Sequence, residues 1–524
     1  MIQDIDDFPM LPKNWIYSKI EEIAEISMGQ SPPGDSYNVD GVGIPLINGP
    51  VEFGSTPFSK TIKSKFTTLP TKMCKEGDLI LCVRGSTTGR MNIAGFDACI
   101  GRGVAAIRSH IYQQYLNIFI HFNQYQIHRL GTGSTFPNVS ADILNKIVIP
   151  LPPLNEQRRI VAKIEALKAR SQRVKEELED IPQLLDQFRQ SVLAAAFRGD
   201  LTADWREQNP DIEPATVLLD RIQKKRQKQY QKACEEAKKK GYKKPRKIFI
   251  DEIPLVEDEF SDYLPALWRV TNIDFLAHVT KLAGFEYTKH MKLEDNGDIP
   301  VVRAQNVQMG MFVPENIKYI SKDVSDFLER SQLHGREILM VFIGAGTGNV
   351  CLAPKDGRWH LAPNVAKIDV DGIHTKYLLF YLQSPIGQKN TLFWAKATAQ
   401  ASLSMETIRK ITVYLPPLEE QQKIVCRVES LLQVIDRIEQ QYQQAKTDID
   451  QLDQSILAKA FRGELVPQDP NDEPASVLLE RIRAEHAKFQ TKTAKKFTTK
   501  TSTRRTKKTQ PLEEESVQLD LGLE

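Results

Sequence analysis

One junction constrains this chain more than anything else in it. "LPPLNEQRRIVAKIEAL" occupies positions 151–167 and a close copy, "LPPLEEQQKIVCRVESL", occupies 415–431, a shift of 264 residues. Further pairs recur at nearly the same distance. "QSVLAAAFRGDLT" (190–202) returns as "QSILAKAFRGELV" (454–466), and "EPATVLLDRI" (213–222) as "EPASVLLERI" (473–482). "LPKNW" (11–15) is answered by "LPALW" (264–268), and "GDLILCVRGSTTGRMNIA" (77–94) by the weaker "REILMVFIGAGTGNVCLA" (336–353). The chain is two copies of one plan. A solenoid needs at least three repeats to bury a continuous core, so two copies point to a pseudo-twofold protein.

The segment after each junction reads as a long helix. Pro152 and Pro153 suit an extended approach, and Asn155 or Glu419 then opens a helix with acidic residues near its positive end. From Ile160, the positions Ile164, Leu167, Ser171, Val174, Leu178, Ile181, Leu185, Phe188 and Val192 continue in steps of four and three. Ile424, Val428, Leu431, Ile435, Ile438, Tyr442, Ala445, Ile449, Leu452 and Ile456 keep the same register in the second copy. This is a coiled-coil seam in both copies, and the twofold relation makes the two helices antiparallel. Pro182 predicts a kink or short break near Asp180 that its counterpart Lys446 need not show. Gly199 and Gly463, in the repeated "AFRG", are natural C-terminal stops. Phe197 and Phe461 in the same motif would either cap the core or anchor a partner, and core packing is the preferred reading.

Residues 11–154 and 264–418 differ from these helices. They contain short β-rich runs such as "GIPLI" and "DILNKIVIPL", broken by Gly, Pro and Asn turns, with one helical stretch around 111–130. The expected fold is therefore α+β: two pseudo-twofold-related globular domains separated by two long helices that form an antiparallel coiled coil. The boundaries are a first domain at 1–154, its helix at 155–200, a basic connecting segment at 201–262, a second domain at 263–418, its helix at 419–463, and a basic then acidic tail at 464–524, expected to be largely disordered.

At 524 residues and 41% hydrophobic content, the chain suits two or three ordinary domains. No apolar run reaches the ~18 residues of a membrane span, and "MIQDIDDFPM" lacks the basic start of a secretory signal, so the expectation is a cytoplasmic protein with no membrane contact. The six cysteines form no C-x-x-C pair and read as reduced, structural thiols; His121 and His128 read as solvated or packed, and no metal site is expected. The net charge of +3 conceals an asymmetry: residues 221–247 carry 13 basic and 2 acidic groups, and 481–508 carry 11 and 1, which leaves the rest at −18. Each basic block follows a repeated "VLL[DE]RI", so the two read as equivalent arms. They are either solvated or touch phosphate or an acidic partner.

Two variable α+β domains, each ending in "LPPL.EQ" and running into a long helix that ends in "AFRG[DE]L", resemble the specificity subunit of a type I restriction–modification system over residues 11–482. The resemblance implies that each domain is a target-recognition domain reading one half of a split, asymmetric site in double-stranded DNA. It implies helices that set the distance between the halves and dock methyltransferase subunits, two of them, which recruit restriction subunits. S-adenosylmethionine, ATP and Mg are then expected on the partner subunits, with no cofactor on this chain.

No catalytic residue is expected. The N-P-P-[YF] or D-P-P-[YF] motif with which an adenine methyltransferase grips a flipped base is missing, and "GAGTGN" (344–349) fits neither nucleotide-binding glycine pattern. Its partner "GSTTGR" (85–90) makes both look like one structural turn, present in each domain. Such turns position phosphates, while Arg and Asn side chains read base edges. The candidate DNA contacts are Asn48, Arg84, Arg90 and Arg102 in the first domain, and Arg303, Gln305, Asn306 and Asn349 in the second, each weighed against a surface salt bridge. Residues 1–154 hold 13 acidic and 13 basic groups, so the partner subunits are expected to supply much of the phosphate contact. Two other readings compete: a coiled-coil adaptor that never touches DNA, and a nucleotide-binding enzyme using Gly344 to Gly348. The tail segment "QLDLGL" (518–523) resembles a sliding-clamp docking peptide, with Gly522 where an aromatic or proline is more usual.

Overall fold

The computed structural model describes residues 9–132, 138–241, 243, 253, 263–282, 284–393, 395 and 402–502. The clamp-like segment 518–523 lies outside them. The chain divides into two compact units that do not follow the sequence halves: residues 1–176 with 446–524, and residues 177–445. Each unit takes its globular part from one half of the chain and the end of its helix from the other.

In the first unit, Ile16–Lys19 pairs antiparallel with Val148–Leu151 and closes the domain next to the junction. Its central sheet runs in the order Ala24–Met28, Val104–Ser109, Leu79–Cys82, Met91–Ile93. "LILC" is buried throughout because both of its faces are covered: Leu79 and Leu81 face the helices and Ile80 and Cys82 face a second sheet. That second sheet holds Ile44–Ile47 parallel to Ala98–Ile100. The second unit repeats the plan. Its central sheet is Ala277–Lys281, Val365–Val370, Ile338–Val341, Val350–Leu352, and Ile299–Val302 runs parallel to Trp359–Leu361 in the next layer. Ile338 and Met340 face one core, Leu339 and Val341 the other. The α+β expectation holds in both units.

The long helices fall where the heptads place them. The first spans Leu154–Glu179 and resumes as Ile181–Arg198, so the break sits at Asp180, ahead of Pro182. The second runs unbroken over Leu418–Arg462. Gly199 and Gly463 end them with φ of +88° and +76°. In the first unit Lys175 Nζ reaches Asp450 (2.8 Å) and Asp453 (3.1 Å), while Ile160 and Ile164 share a core with Ile456 and Ala460, so the two segments run antiparallel. The seam is well buried near the globular parts and opens away from them: Ile164 is 1% exposed but Val174 is 44%, and Val428 is 0% exposed but Ile438 is 37%. Two helices alone cover such a stripe from one side only.

The repeated motifs meet at one junction in each unit. In the first, the Trp15 indole N–H donates to the buried Glu156 carboxylate (3.0 Å) and Gln468 donates to its other oxygen (2.7 Å). Gln157 accepts the Tyr112 amide (3.0 Å) and donates to the Pro152 carbonyl (2.9 Å), fixing the bend between strand and helix. Ala475 N–H donates to Asn14 O (3.0 Å), docking the "EPAS" helix on "LPKNW". The second unit has the same set. Trp268 donates to Glu420 (2.8 Å), Gln421 accepts from His374 N–H (3.0 Å) and donates to Pro416 O (3.0 Å), and Ala215 N–H donates to Leu267 O (3.0 Å). There Thr202 (2.7 Å) and Arg206 (2.5 Å) take the place of Gln468. Glutamate at this position satisfies an indole donor that burial would otherwise leave unpaired.

The two basic segments, one of them in the tail expected to be largely disordered, each carry a helix. The connecting segment contains a helix, Ala215–Lys240, and the tail contains another, Ala475–Ser502. Both begin at the repeated motif, whose Leu218, Leu219 and Ile222, or Leu478, Leu479 and Ile482, are buried in their unit's core and anchor the first turns. All six cysteines are free; burial pushes the Cys74 and Cys82 thiols up to about 11 and Cys351 up to about 12, which leaves them unreactive at neutral pH. No helix among the described residues is long and apolar enough to cross a membrane.

Candidate nucleic-acid interface

The glycine-containing turn is the same object in both units. It joins Leu79–Cys82 to Met91–Ile93, and Ile338–Val341 to Val350–Leu352. Thr88 Oγ1 donates to Gly85 O (2.8 Å), Thr347 Oγ1 to Gly344 O (2.7 Å). Gly89 N–H donates to Cys82 O (2.8 Å), and Gly348 N–H to Val341 O (2.9 Å). Gly85 and Gly89, like Gly344 and Gly348, have φ between +84° and +112°, a region open to glycine, which explains the repeated spacing. The amides of Thr88, Gly89 and Arg90 donate within the hairpin, as do those of Thr347, Gly348 and Asn349. A phosphate cradle needs free amides, and these three in each turn are already spent on the hairpin.

Around this turn the first unit gathers its candidates at one edge. Val83 N–H donates to Gly103 O (2.9 Å), bringing the start of the turn beside Arg102. Asn48 follows Ile47, which pairs with Ile100, and its side chain lies against Gly101, where a Cβ would fall 1.8 Å from Oδ1. Asn48, Arg84 and Arg102 are thus neighbours, with Arg90 on the other leg of the turn. The three arginines are exposed, and among the described residues none of them forms an ion pair. The surface-salt-bridge reading therefore finds no partner for them.

The second unit builds the corresponding edge differently. Sheet register and turn bonding align Arg303 with Asn48, Ile343 with Arg84, Asn349 with Arg90, and Pro363 with Arg102. Arg303 is half-buried and donates a guanidinium N–H to the Asn316 carbonyl. Gln305 is exposed. Asn349 Nδ2 donates to Val307 O (3.3 Å). Asn306 is a correction: it is buried, accepts from Arg303 N–H (3.0 Å) and donates to Val313 O and Glu315 O (2.9 Å each), so it shapes the turn and has no group left for a base.

The partner-anchor role considered for Phe197 and Phe461 is corrected likewise. Phe197 is fully buried against Tyr377 and Tyr381, and Phe461 packs edge-on to Tyr115 and Phe119, leaving no ring face for another subunit. Sequence reasoning missed the braces behind the turn. Gln388 Nε2 donates to Gly348 O (3.0 Å), and Gln124 occupies the space a Gly89 side chain would need. One residue on, Tyr125 is exposed with Arg129 over its ring at 5.9 Å. No spacing or motif singles out these positions.

Comparison with known proteins matches this arrangement. Residues 12–183 and 265–447 each match the model of the type I restriction modification DNA specificity domain. The chain is 27% identical over 511 residues to the type I restriction enzyme EcoBI specificity subunit of Escherichia coli, spanning 94% of this chain and 96% of that one. It is 35% identical over 162 residues to a putative MjaX specificity subunit of Methanocaldococcus jannaschii, covering 30% and 37% of the two chains. The fold is shared with the HsdS subunit from Thermoanaerobacter tengcongensis, with a TM-score of 0.53 at 18% identity over 88% of this chain and all of that one. A chain from a type I R-M system assembly gives a TM-score of 0.57 at 19% identity over 87% of this chain and all of that one. With the domain model matched twice and the junctions, helices and paired edges repeated around it, this chain belongs to the type I restriction–modification DNA specificity subunit family.

Proposed function

We propose that each unit reads one half of a bipartite, asymmetric DNA site, and that the chain is the non-catalytic reading subunit of an adenine-methylating restriction–modification complex. The observation that carries this is the paired edge: one backbone plan presents Asn48, Arg84, Arg90 and Arg102 in the first unit and Arg303, Ile343, Asn349 and Pro363 at the same places in the second. Matching frames with different side chains suit two readers of different sequences, since donors and acceptors at base edges set specificity. An adaptor without DNA contact has no use for that difference. Two methyltransferase subunits, with S-adenosylmethionine, and restriction subunits, with ATP and Mg, would assemble on the chain in the cytoplasm.

The test is an exchange. Replacing residues 11–150 with the matching domain of a relative that keeps the Trp15 and Tyr115 equivalents should change one half of the methylated target and leave the other intact. Loss or alteration of both halves together would refute independent reading.

A further inference from the structure

We infer that the reading edges of the two units hold DNA by different physics, that of the first through charge and that of the second through neutral polar groups. This rests on the reading of both units as DNA-binding heads. Arg84, Arg90 and Arg102 sit at one edge, exposed, and among the described residues no carboxylate is paired with any of them. An arginine fork left unpaired on a rigid hairpin is pre-organised for a pair of acceptors, the arrangement offered by a phosphate or by guanine O6 and N7. The hairpin is braced from within by the Thr88, Gly89 and Arg90 amides and the Thr88 hydroxyl, and Gln124 backs it.

The same three positions in the second unit hold Ile343, Asn349 and Pro363. None carries charge. The remaining cation at that edge, Arg303, already donates to the Asn316 carbonyl. An amide such as Asn349 or the exposed Gln305 matches adenine N6 and N7 rather than a phosphate. Binding through the first unit's edge therefore displaces counterions from the duplex, and binding through the second unit's edge displaces few.

The difference is measurable in the complex of this chain with its methyltransferase subunits, on a duplex spanning the methylation site mapped for the wild-type complex. Each lost phosphate-type contact lowers the slope of log K against log salt by about 0.9. Arg84→Ala, Arg90→Ala and Arg102→Ala combined should lower it by about 2 to 3, so that wild-type and variant affinities converge as salt rises. Gln305→Ala with Asn349→Ala should weaken binding at all salt concentrations with the slope unchanged. All five side chains lie on the surface or at its edge, and unchanged melting of the variants separates lost contacts from lost folding. Methylation mapping of the arginine variant then identifies the acceptor: loss of preference at a guanine of one half-site marks base edges, and an unchanged target marks phosphates. Equal slopes for the arginine variant and the wild type would overturn the proposal while leaving the reading heads in place. Failure of the wild-type complex to prefer its own site would instead overturn the reading on which it rests.

Discussion

Trp15 and Glu156, 141 residues apart, form a buried hydrogen bond of 3.0 Å at the point where strand, proline bend, helix start and the far end of the other long helix meet. Trp268 and Glu420 form its counterpart at 2.8 Å, but there the carboxylate also faces Arg206 at 2.5 Å, where Glu156 faces the neutral Gln468. Glu420→Gln removes a charge that Arg206 needs and should cost the second unit about 1.5–3 kcal/mol. Glu156→Gln keeps an acceptor for the indole and should cost the first unit less. Hydrogen exchange of the full chain, which resolves the two units, checks the order; a larger loss for Glu156→Gln would contradict it.

The same carboxylate gives a pH dependence. Burial holds Glu156 above the ordinary carboxylate range, so the folded first unit keeps a proton that the unfolded chain has already released. Between the unfolded value, about 4.3, and the raised folded one, this group's contribution falls as pH rises. Glu156→Gln should remove that component, seen as a flatter stability profile for the first unit above pH ~4.3.

Phe197→Ala and Phe461→Ala should each cost about 3–5 kcal/mol, with Phe461 at the lower end because it is 7% exposed against 0% for Phe197. The loss should appear in the unit that contains the ring, as earlier melting or faster exchange there. Subunit assembly weakened at unchanged stability would restore the anchor role.

Gly463 combines a left-handed backbone with a crowded site: a Cβ there would lie 2.4 Å from Pro12 Cγ, whereas at Gly77, also left-handed, it would meet open space. Gly77→Ala should cost about 1–2 kcal/mol for backbone strain alone. Gly463→Ala should exceed it by about 1–3 kcal/mol of overpacking, measured by denaturant unfolding. Equal costs would show that "LPKNW" yields to the added methyl.

Asn306 and Gln305 separate fold from recognition. Asn306→Ala takes the side-chain partner from the Arg303 amide and the Val313 and Glu315 carbonyls and should destabilise the second unit by about 1–3 kcal/mol. Gln305→Ala should leave stability unchanged and relax one position of one half-site in methylation mapping.

The sequence by itself determined the duplication, the α+β character of the domains, both long helices, the break before Pro182 and the stops at Gly199 and Gly463. These are local consequences of periodicity, proline and left-handed glycine, each read within a few residues. The repeated turns were legible too, because glycine spacing reports backbone conformation directly. Only the tertiary structure decided that "AFRG" of one copy packs on "LPxxW" of the other, so that the units cut across the sequence halves. It also removed Asn306 from the base-reading candidates and Phe197 and Phe461 from the partner surface. Burial and hydrogen-bond partnership are set by segments far apart in the chain: Asn306 is spent on carbonyls 7 and 9 residues on, and Phe461 on rings more than 300 residues back. Which arginines stay unpaired is a property of the same kind, since a carboxylate's distance from Arg84 or Arg102 is fixed by folding and not by spacing along the chain.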